Sequence, residues 1–230
     1  MSRQTVTRTV LVTGANRGLG RAVSARLRAE GLRVVVTARD SDQARAVAAE
    51  LGPDVVGLPL DVADRDSVLR ARDVVGHVDA VVNNAGVLVD AGSDPLSVSL
   101  DAVRETLAVN LLGSWQVTQA FVPGMVAAGW GRVVMVTSGT GTFTNGLFPR
   151  TPGYSVSKAA LNGLTVMLAA QLAGTGVLVN AVNPGRVRTR MMPDAPRSAA
   201  EAAGDVAAAV LLPDGGPNGV LLRHQRPSAW

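Results

Sequence analysis

Seven short runs of apolar, largely β-branched residues alternate with stretches of helical periodicity, and that alternation narrows the fold more than any other feature of the chain. The runs are RTVLVT (8–13), RVVVTA (33–38), VVGLPL (55–60), VDAVVN (78–83), RVVMVT (132–137), GVLVNAV (176–182) and GVLLR (219–223). Between them, RGLGRAVSARLRAEG, SDQARAVAAELG, DRDSVLRARDVV, a long segment near 100–128, another near 154–173 and SAAEAAGDVAAAVL carry the spacing of helices. Apolar runs without polar alternation suit parallel strands covered on both faces, and each helix between them supplies a right-handed crossover. The expectation is an α/β, doubly wound, mostly parallel seven-stranded sheet with helices on both faces.

At 230 residues, 47% of them apolar, the chain reads as one domain, 1–230, with no linker-like run or internal repeat. The start MSRQTVTRTV has no secretory apolar region and no stretch approaches membrane-span length, so a cytoplasmic protein is expected. The chain has no Cys, which excludes thiol chemistry, and its two histidines, His77 and His224, are too far apart in sequence to suggest a metal site. A net charge of +4 with arginines dispersed among acids argues against a nucleic-acid surface, despite the basic isoelectric point.

Doubly wound sheets bind ligands beyond the carboxyl ends of their strands. The first strand runs into TGANRGLG, Thr13 to Gly20, where Gly14, Gly18 and Gly20 let the backbone turn tightly and bring a diphosphate to a helix N-terminus. A plain glycine-rich turn has the same composition. At the end of the second strand, Ala38 stands where an acid would meet ribose hydroxyls, and Arg39 follows, with Arg17 able to approach from the other side. A 2′-phosphate is favoured, so NADP(H) is expected over NAD(H), although Asp40 could rotate inward. Asp61, followed by Val62, is placed to accept an adenine amino group or to cap the next helix. Asn83 to Gly86 could pass close to a ribose or form an ordinary turn. Asn110 lies within an apolar helix and needs partners, and Ser138 ends the fifth strand with Thr137, Thr140 and Thr142 as rivals.

Tyr154 is the only tyrosine, and Lys158 is the only lysine beside twenty-one arginines. Four residues apart on one helix, they share a face. A phenol with a pKa of ~10 is a poor base at neutral pH, and an adjacent ammonium would lower it. A compact ammonium on a flexible stem can also reach a ribose hydroxyl, which a rigid guanidinium fork would meet differently.

TGANRGLG, NNAG, VN at 109–110, Ser138, YSVSK and NPGRVRT (183–189), in this order, resemble the classical short-chain dehydrogenase/reductase family over essentially the whole chain; TGANRG, TAR and GPNGVLLRHQRP are similar to its carbonyl-reductase-like branch. The resemblance implies a Rossmann fold and hydride transfer between a nicotinamide and a carbonyl carbon. It implies Tyr154 as general acid in reduction and base in oxidation, Lys158 as the cation that lowers its pKa and holds the ribose, Ser138 as the group polarising the substrate oxygen, and Asn110 as the anchor of a water leading to Lys158. Gly14, Asn16, Arg17, Gly18, Leu19, Gly20, Arg39, Asp61, Val62, Asn83, Ala85, Gly86, Pro184, Gly185, Val187 and Thr189 would join Tyr154 and Lys158 around the cofactor. The interval from Ser138 to Tyr154 is a few residues longer than the family's commonest spacing, which implies a bulge near the pocket.

Residues of about 186–204 form a short substrate lid, and Phe143, Leu147, Phe148, Met191 and Met192 could make an apolar pocket for a small carbonyl or alcohol, or could pack the lid against the body. Arg186, Arg188 and Arg190 read as a solvated edge or phosphate contact more than as a site for acidic substrates. The expected enzyme is an NADPH-dependent reductase of ketones or aldehydes. Alternatives are an alcohol dehydrogenase working oxidatively and a dinucleotide sensor on the same fold. The resemblance implies a homodimer or homotetramer formed through the helices near 100–128 and 154–173.

Overall fold

The computed structural model describes residues 7–144 and 146–230, so the polar start at 1–6 lies outside the described residues. The chain runs β1 (Thr9–Val12), α1 (Gly18–Ala29), β2 (Arg33–Ala38), α2 (Ser41–Leu51), β3 (Val55–Pro59), α3 (Arg65–Val75), β4 (Ala80–Asn83), α4 (Leu100–Leu107), a π-helical segment (Ala108–Gly113), α5 (Ser114–Ala128) and β5 (Gly131–Val136). A 3-10 turn (Gly139–Gly141), α6 (Pro152–Gln171), β6 (Val177–Val182), β7 (Val187–Arg188), β8 (Arg197–Ser198), α7 (Ala199–Val210), β9 (Leu221–Arg223) and β10 (Arg226–Ser228) complete it.

The main sheet has the order β10-β9-β6-β5-β4-β1-β2-β3, parallel throughout except for the β9–β10 pair. Neighbouring residues of one apolar run serve opposite layers. Val10, Val12, Val34 and Val36 pack with Val23, Leu27, Val47 and Val206 of α1, α2 and α7, whereas Leu11, Val35 and Val81 pack with Val68, Val117, Phe121 and Leu161 of α3, α5 and α6. This two-sided burial is why the strands read as unbroken apolar runs.

Among the described residues the sheet has eight strands, one more than the sequence suggests. β10 was hidden in RPS, an exposed edge strand containing a proline, and the turn into it uses His224 and Gln225 at φ of 49° and 62° in place of the glycine that usually marks a hairpin. The helix expected near 100–128 is also divided: the π-helical segment interrupts it at Asn110. The segment expected as a lid, 186–204, holds a small separate pair, β7 with β8, and its end from Ala199 onward belongs instead to α7, which starts under a capping box of Ser198 and Glu201. Among the described residues, no helix is long and apolar enough to cross a membrane.

Candidate active site

The order reverses between β1 and β4, and the cleft opens at that edge. Gly14 and Gly18 take φ of 62° and 55°, a region costly for side chains. A Cβ on Gly14 would stand 2.9 Å from Ala85 Cα, and one on Gly20 would stand 2.5 Å from Asn84 Nδ2. The glycine turn and the NNAG segment therefore pack as one unit. Thr13 Oγ1 accepts from the backbone N–H groups of Asn84 and Ala85, each at 3.0 Å, and Asn84 Nδ2 donates to the carbonyls of Thr13 and Gly14. Arg17 precedes α1 without providing a side-chain cap, and no acid occupies the first turn. The helix N-terminus beside the cleft thus keeps N–H groups for an anion, and these residues fit a dinucleotide's diphosphate.

Arg17 and Arg39 are exposed along the end of the cleft beside β2, and neither has an ion-pair partner among the described residues. The carboxylate of Asp40 is occupied instead: it caps α2, accepting from Asp42 N and Gln43 N at 2.9 Å. Asp61 and Val62 line the next stretch of wall. Asp61 accepts from Ala63 N, and the capping of α3 falls to Asp64.

At the other end, Ser138, Tyr154 and Lys158 line the same cleft. A Cβ on Gly141 would fall 2.6 Å from Ala159 N, so the 3-10 turn after Ser138 lies directly against α6. Ser138 Oγ accepts from Thr140 N and Thr140 Oγ1. The rival Thr137 turns inward and donates to Asn162 Oδ1 at 2.7 Å. Lys158 is 4% exposed and its ammonium donates to Val136 O at 2.9 Å; burial pushes its pKa down to about 8. Burial pushes the Tyr154 phenol above its ordinary value, with a hydrogen bond to Ser138 offsetting part of the rise. The direction is opposite to the lowering expected from Lys158: desolvation of the phenol is the largest cause, and the one offsetting contribution comes from Ser138.

Asn110 is wholly buried. Its Oδ1 accepts from Val87 N at 2.8 Å, and its Nδ2 donates to Val87 O and to Ser157 Oγ, both at 3.0 Å. Ser157 Oγ in turn donates to Tyr154 O at 2.7 Å. A Cβ on Gly86 would lie 3.3 Å from Asn110 Oδ1 and 3.7 Å from Lys158 Nζ, so glycine lets these three elements meet.

The cleft encloses about 1090 Å³, enough for a dinucleotide and a small substrate together. A family model described as short chain dehydrogenase matches residues 8–199. The chain belongs to the classical short-chain dehydrogenase/reductase family. It is 38% identical to the 3-oxoacyl-[acyl-carrier-protein] reductase FabG of Aquifex aeolicus, over 79% of this chain and 74% of that protein. It is likewise 38% identical to the acetoacetyl-CoA reductase of Cupriavidus necator, over 80% and 76%. Among solved structures, a short chain dehydrogenase/reductase family protein superposes with a TM-score of 0.84 at 30% identity over 94% of both chains. A 3-ketoacyl-(acyl-carrier-protein) reductase from Brucella melitensis complexed with NADH superposes with a TM-score of 0.87 over 94% and 96%; at 24% identity it supports the fold.

In this short-chain dehydrogenase, Gly14, Asn16, Arg17, Gly18, Leu19, Gly20, Arg39, Asp61, Val62, Ala85, Gly86, Pro184, Gly185, Val187 and Thr189 all border the cleft. Asn83 does not. Its side chain points into the core, where Nδ2 donates to Thr118 Oγ1 and approaches Met135 Sδ, because the last residue of β4 faces the α5 layer. Of the apolar pocket residues, Phe148, Met191 and Met192 line the wall, whereas Phe143 and Leu147 do not. Phe143 is 71% exposed. Phe148 N donates to Thr140 O and Ser155 Oγ donates to Phe148 O, holding Phe148 alone against the cleft. Thr13, Asn84 and Ser157 stand inside TGANRGLG, NNAG and YSVSK, and the bonds they make across the site carry no separate signal in the sequence.

Proposed function

We propose that this chain reduces a ketone or aldehyde to the alcohol with NADPH, Tyr154 donating the proton to the carbonyl oxygen. The observation that carries the reading is the meeting of Ser138, Tyr154 and Lys158 on one wall of a cleft whose opposite end is the glycine turn. A bound nicotinamide would supply the hydride. Burial raises the phenol's pKa, so it carries the proton that an acid must deliver to the carbonyl oxygen. Ser138 orients the substrate oxygen. Lys158, buried and close to titration, provides a cation beside the phenol. Asn110 contributes by bracing Val87 and Ser157, since its amide is already committed to them.

The preference for NADP(H) over NAD(H) rests on Arg39 and Arg17 flanking the adenosine end while Asp40 is spent on its helix cap. Gly14, Gly18, Gly20, Ala85, Gly86, Pro184, Gly185, Val187 and Thr189 hold the remainder of the cofactor. The substrate sits under the lid at 186–198, against Phe148, Met191 and Met192. Relatives named as 3-oxoacyl and acetoacetyl reductases favour a ketone. Exposed Leu112, Trp115, Val166 and Met167 on the π-helical segment, α5 and α6 favour a homodimer or homotetramer. We read the protein as cytoplasmic.

The test is titration with NADPH and NADH by nicotinamide fluorescence, followed by a panel of ketones, quinones and aldehydes. Tighter NADPH binding with carbonyl-dependent oxidation is expected. Binding of neither dinucleotide would refute the reading, and binding without turnover of any carbonyl would move it to a sensor.

A further inference from the structure

Helix α6 carries both Tyr154 and Lys158, yet the residue before it leaves the helix start uncapped. Thr151 Oγ1 pairs with Ser155 Oγ at 3.1 Å and makes no bond to the first backbone N–H groups. Those groups are met by a carboxylate 63 positions upstream: Asp90 Oδ2 accepts from Gly153 N at 2.6 Å, and the same oxygen accepts from Tyr154 N at 3.2 Å. Asp90 is 2% exposed, and its Oδ1 is buried with no hydrogen-bond partner among the described residues. A half-satisfied buried carboxylate is costly, and this one spends its bonds on the turn that carries the phenol.

Neighbouring contacts hold Asp90 in place. Gly92 N donates to Arg150 O at 2.9 Å, Arg150 pairs with Asp94 at 3.1 Å, and Ser93 N donates to Asp90 O. A Cβ on residue 153 would stand 3.1 Å from Asp90 Oδ2, so Gly153 permits the approach. An anion at a helix N-terminus forms charge-assisted bonds and is favoured by the helix dipole.

The geometry points to Asp90 as a positioning residue that caps the catalytic helix from the loop after β4 and sets where Tyr154 stands against Ser138. The inference rests on the reading of Tyr154 as proton donor. Lys158 lies one turn deeper and is held separately by Val136 O, and the glycine turn belongs to another part of the sheet. Loss of the cap therefore displaces the phenol while leaving cofactor binding largely intact.

The experiment measures kcat per NADPH-binding site, with sites counted by fluorescence titration, for the wild type, Asp90→Ala, Asp90→Asn, Gly153→Ala and Tyr154→Phe. Asp90→Ala is expected to lower kcat per site roughly 10- to 100-fold, the scale set by misplacing a reacting group by about 1 Å, with NADPH affinity within about two-fold. Asp90→Asn keeps an acceptor oxygen and should recover most of the loss. Should Asp90→Ala give no NADPH-binding protein, Gly153→Ala decides, because its added methyl presses on Oδ2 at 3.1 Å without removing it, with Val103 next at 3.3 Å; the same loss confined to kcat is expected. Wild-type kcat per site in whichever of the two variants binds NADPH would overturn the assignment, as would equal losses in Asp90→Asn and Asp90→Ala. Tyr154→Phe separates the two readings. If it stays active, the proton-donor role falls; if it is inactive while the capping variants turn over normally, only the inference about Asp90 falls.

Discussion

The Lys158 ammonium lies 5.5 Å from the centroid of the Tyr154 ring and is fastened by a 2.9 Å bond to the carbonyl of Val136, so the helix places the pair on one face and β5 fixes the charge beside it. A guanidinium at 158 would have to fit its planar fork into space that now holds one nitrogen. Lys158→Arg should therefore keep the charge and still lose at least about 10-fold in kcat/KM for carbonyl reduction, a drop steady-state kinetics would register. Unchanged activity would remove the geometric account of the lone lysine.

The same burial has a pH signature. Lys158 has a folded pKa of about 8 against an ordinary 10.5, so below about pH 8 both folded and unfolded chains hold the proton and the penalty of the buried charge is fully present. From about pH 8 upward the unfolded chain binds a proton that the folded chain has shed, and this contribution to stability rises. The raised phenol acts in the opposite sense only once pH exceeds its ordinary value of 10. In the cofactor-free protein, the Tm difference between Lys158→Met and wild type should shrink from about pH 7.5 to about pH 9.5. A constant difference over that range would contradict the shift.

Arg39 borders the cleft with no ion-pair partner among the described residues, and the neighbouring Asp40 is engaged as the cap of α2. Arg39→Ala should weaken NADPH binding roughly 10-fold or more while changing NADH by about two-fold at most, since only the former offers a phosphate to the fork. Equal losses in paired fluorescence titrations would show that the arginine does not read the phosphate.

Two phenylalanines five residues apart should behave differently. Phe148 borders the cleft and Phe143 is turned to solvent. Phe148→Ala should raise KM for bulky apolar ketones several-fold, and Phe143→Ala should leave KM within about two-fold, because only the first removes apolar contact area from a bound substrate. The reverse ranking would mean that the loop adopts another arrangement around substrate.

Gly20 shows how closely the glycine turn is packed. An added methyl would stand 2.5 Å from Asn84 Nδ2 and from Gly14 O, and Asn84 cannot move without giving up its bonds to Thr13 and Gly14. Gly20→Ala should cost on the order of 1–3 kcal/mol of stability, measurable by urea unfolding, and weaken dinucleotide binding along with it.

Local sequence determined the seven apolar strands and the crossover helices between them, because a parallel strand buried on both faces must be apolar throughout and a crossover helix must repeat every 3.6 residues. It also placed Tyr154 and Lys158 on one face, since four-residue spacing on a helix leaves no other choice, and marked the glycine turn by residues that tolerate left-handed backbone. Tertiary structure decided what depends on partners distant in the chain. Asn83 and Asn84 are the same residue type side by side, yet strand geometry sends one into the core and the other to the glycine turn. Phe143 and Phe148 are separated by the fold of their loop, β10 exists because β9 offers it an edge, and the phenol's pKa follows burial more than its lysine neighbour. Asp90 had no local signal at all. Its part in α6 arises only when the loop after β4 is laid against a helix that begins sixty residues later, where one buried oxygen can meet two backbone N–H groups.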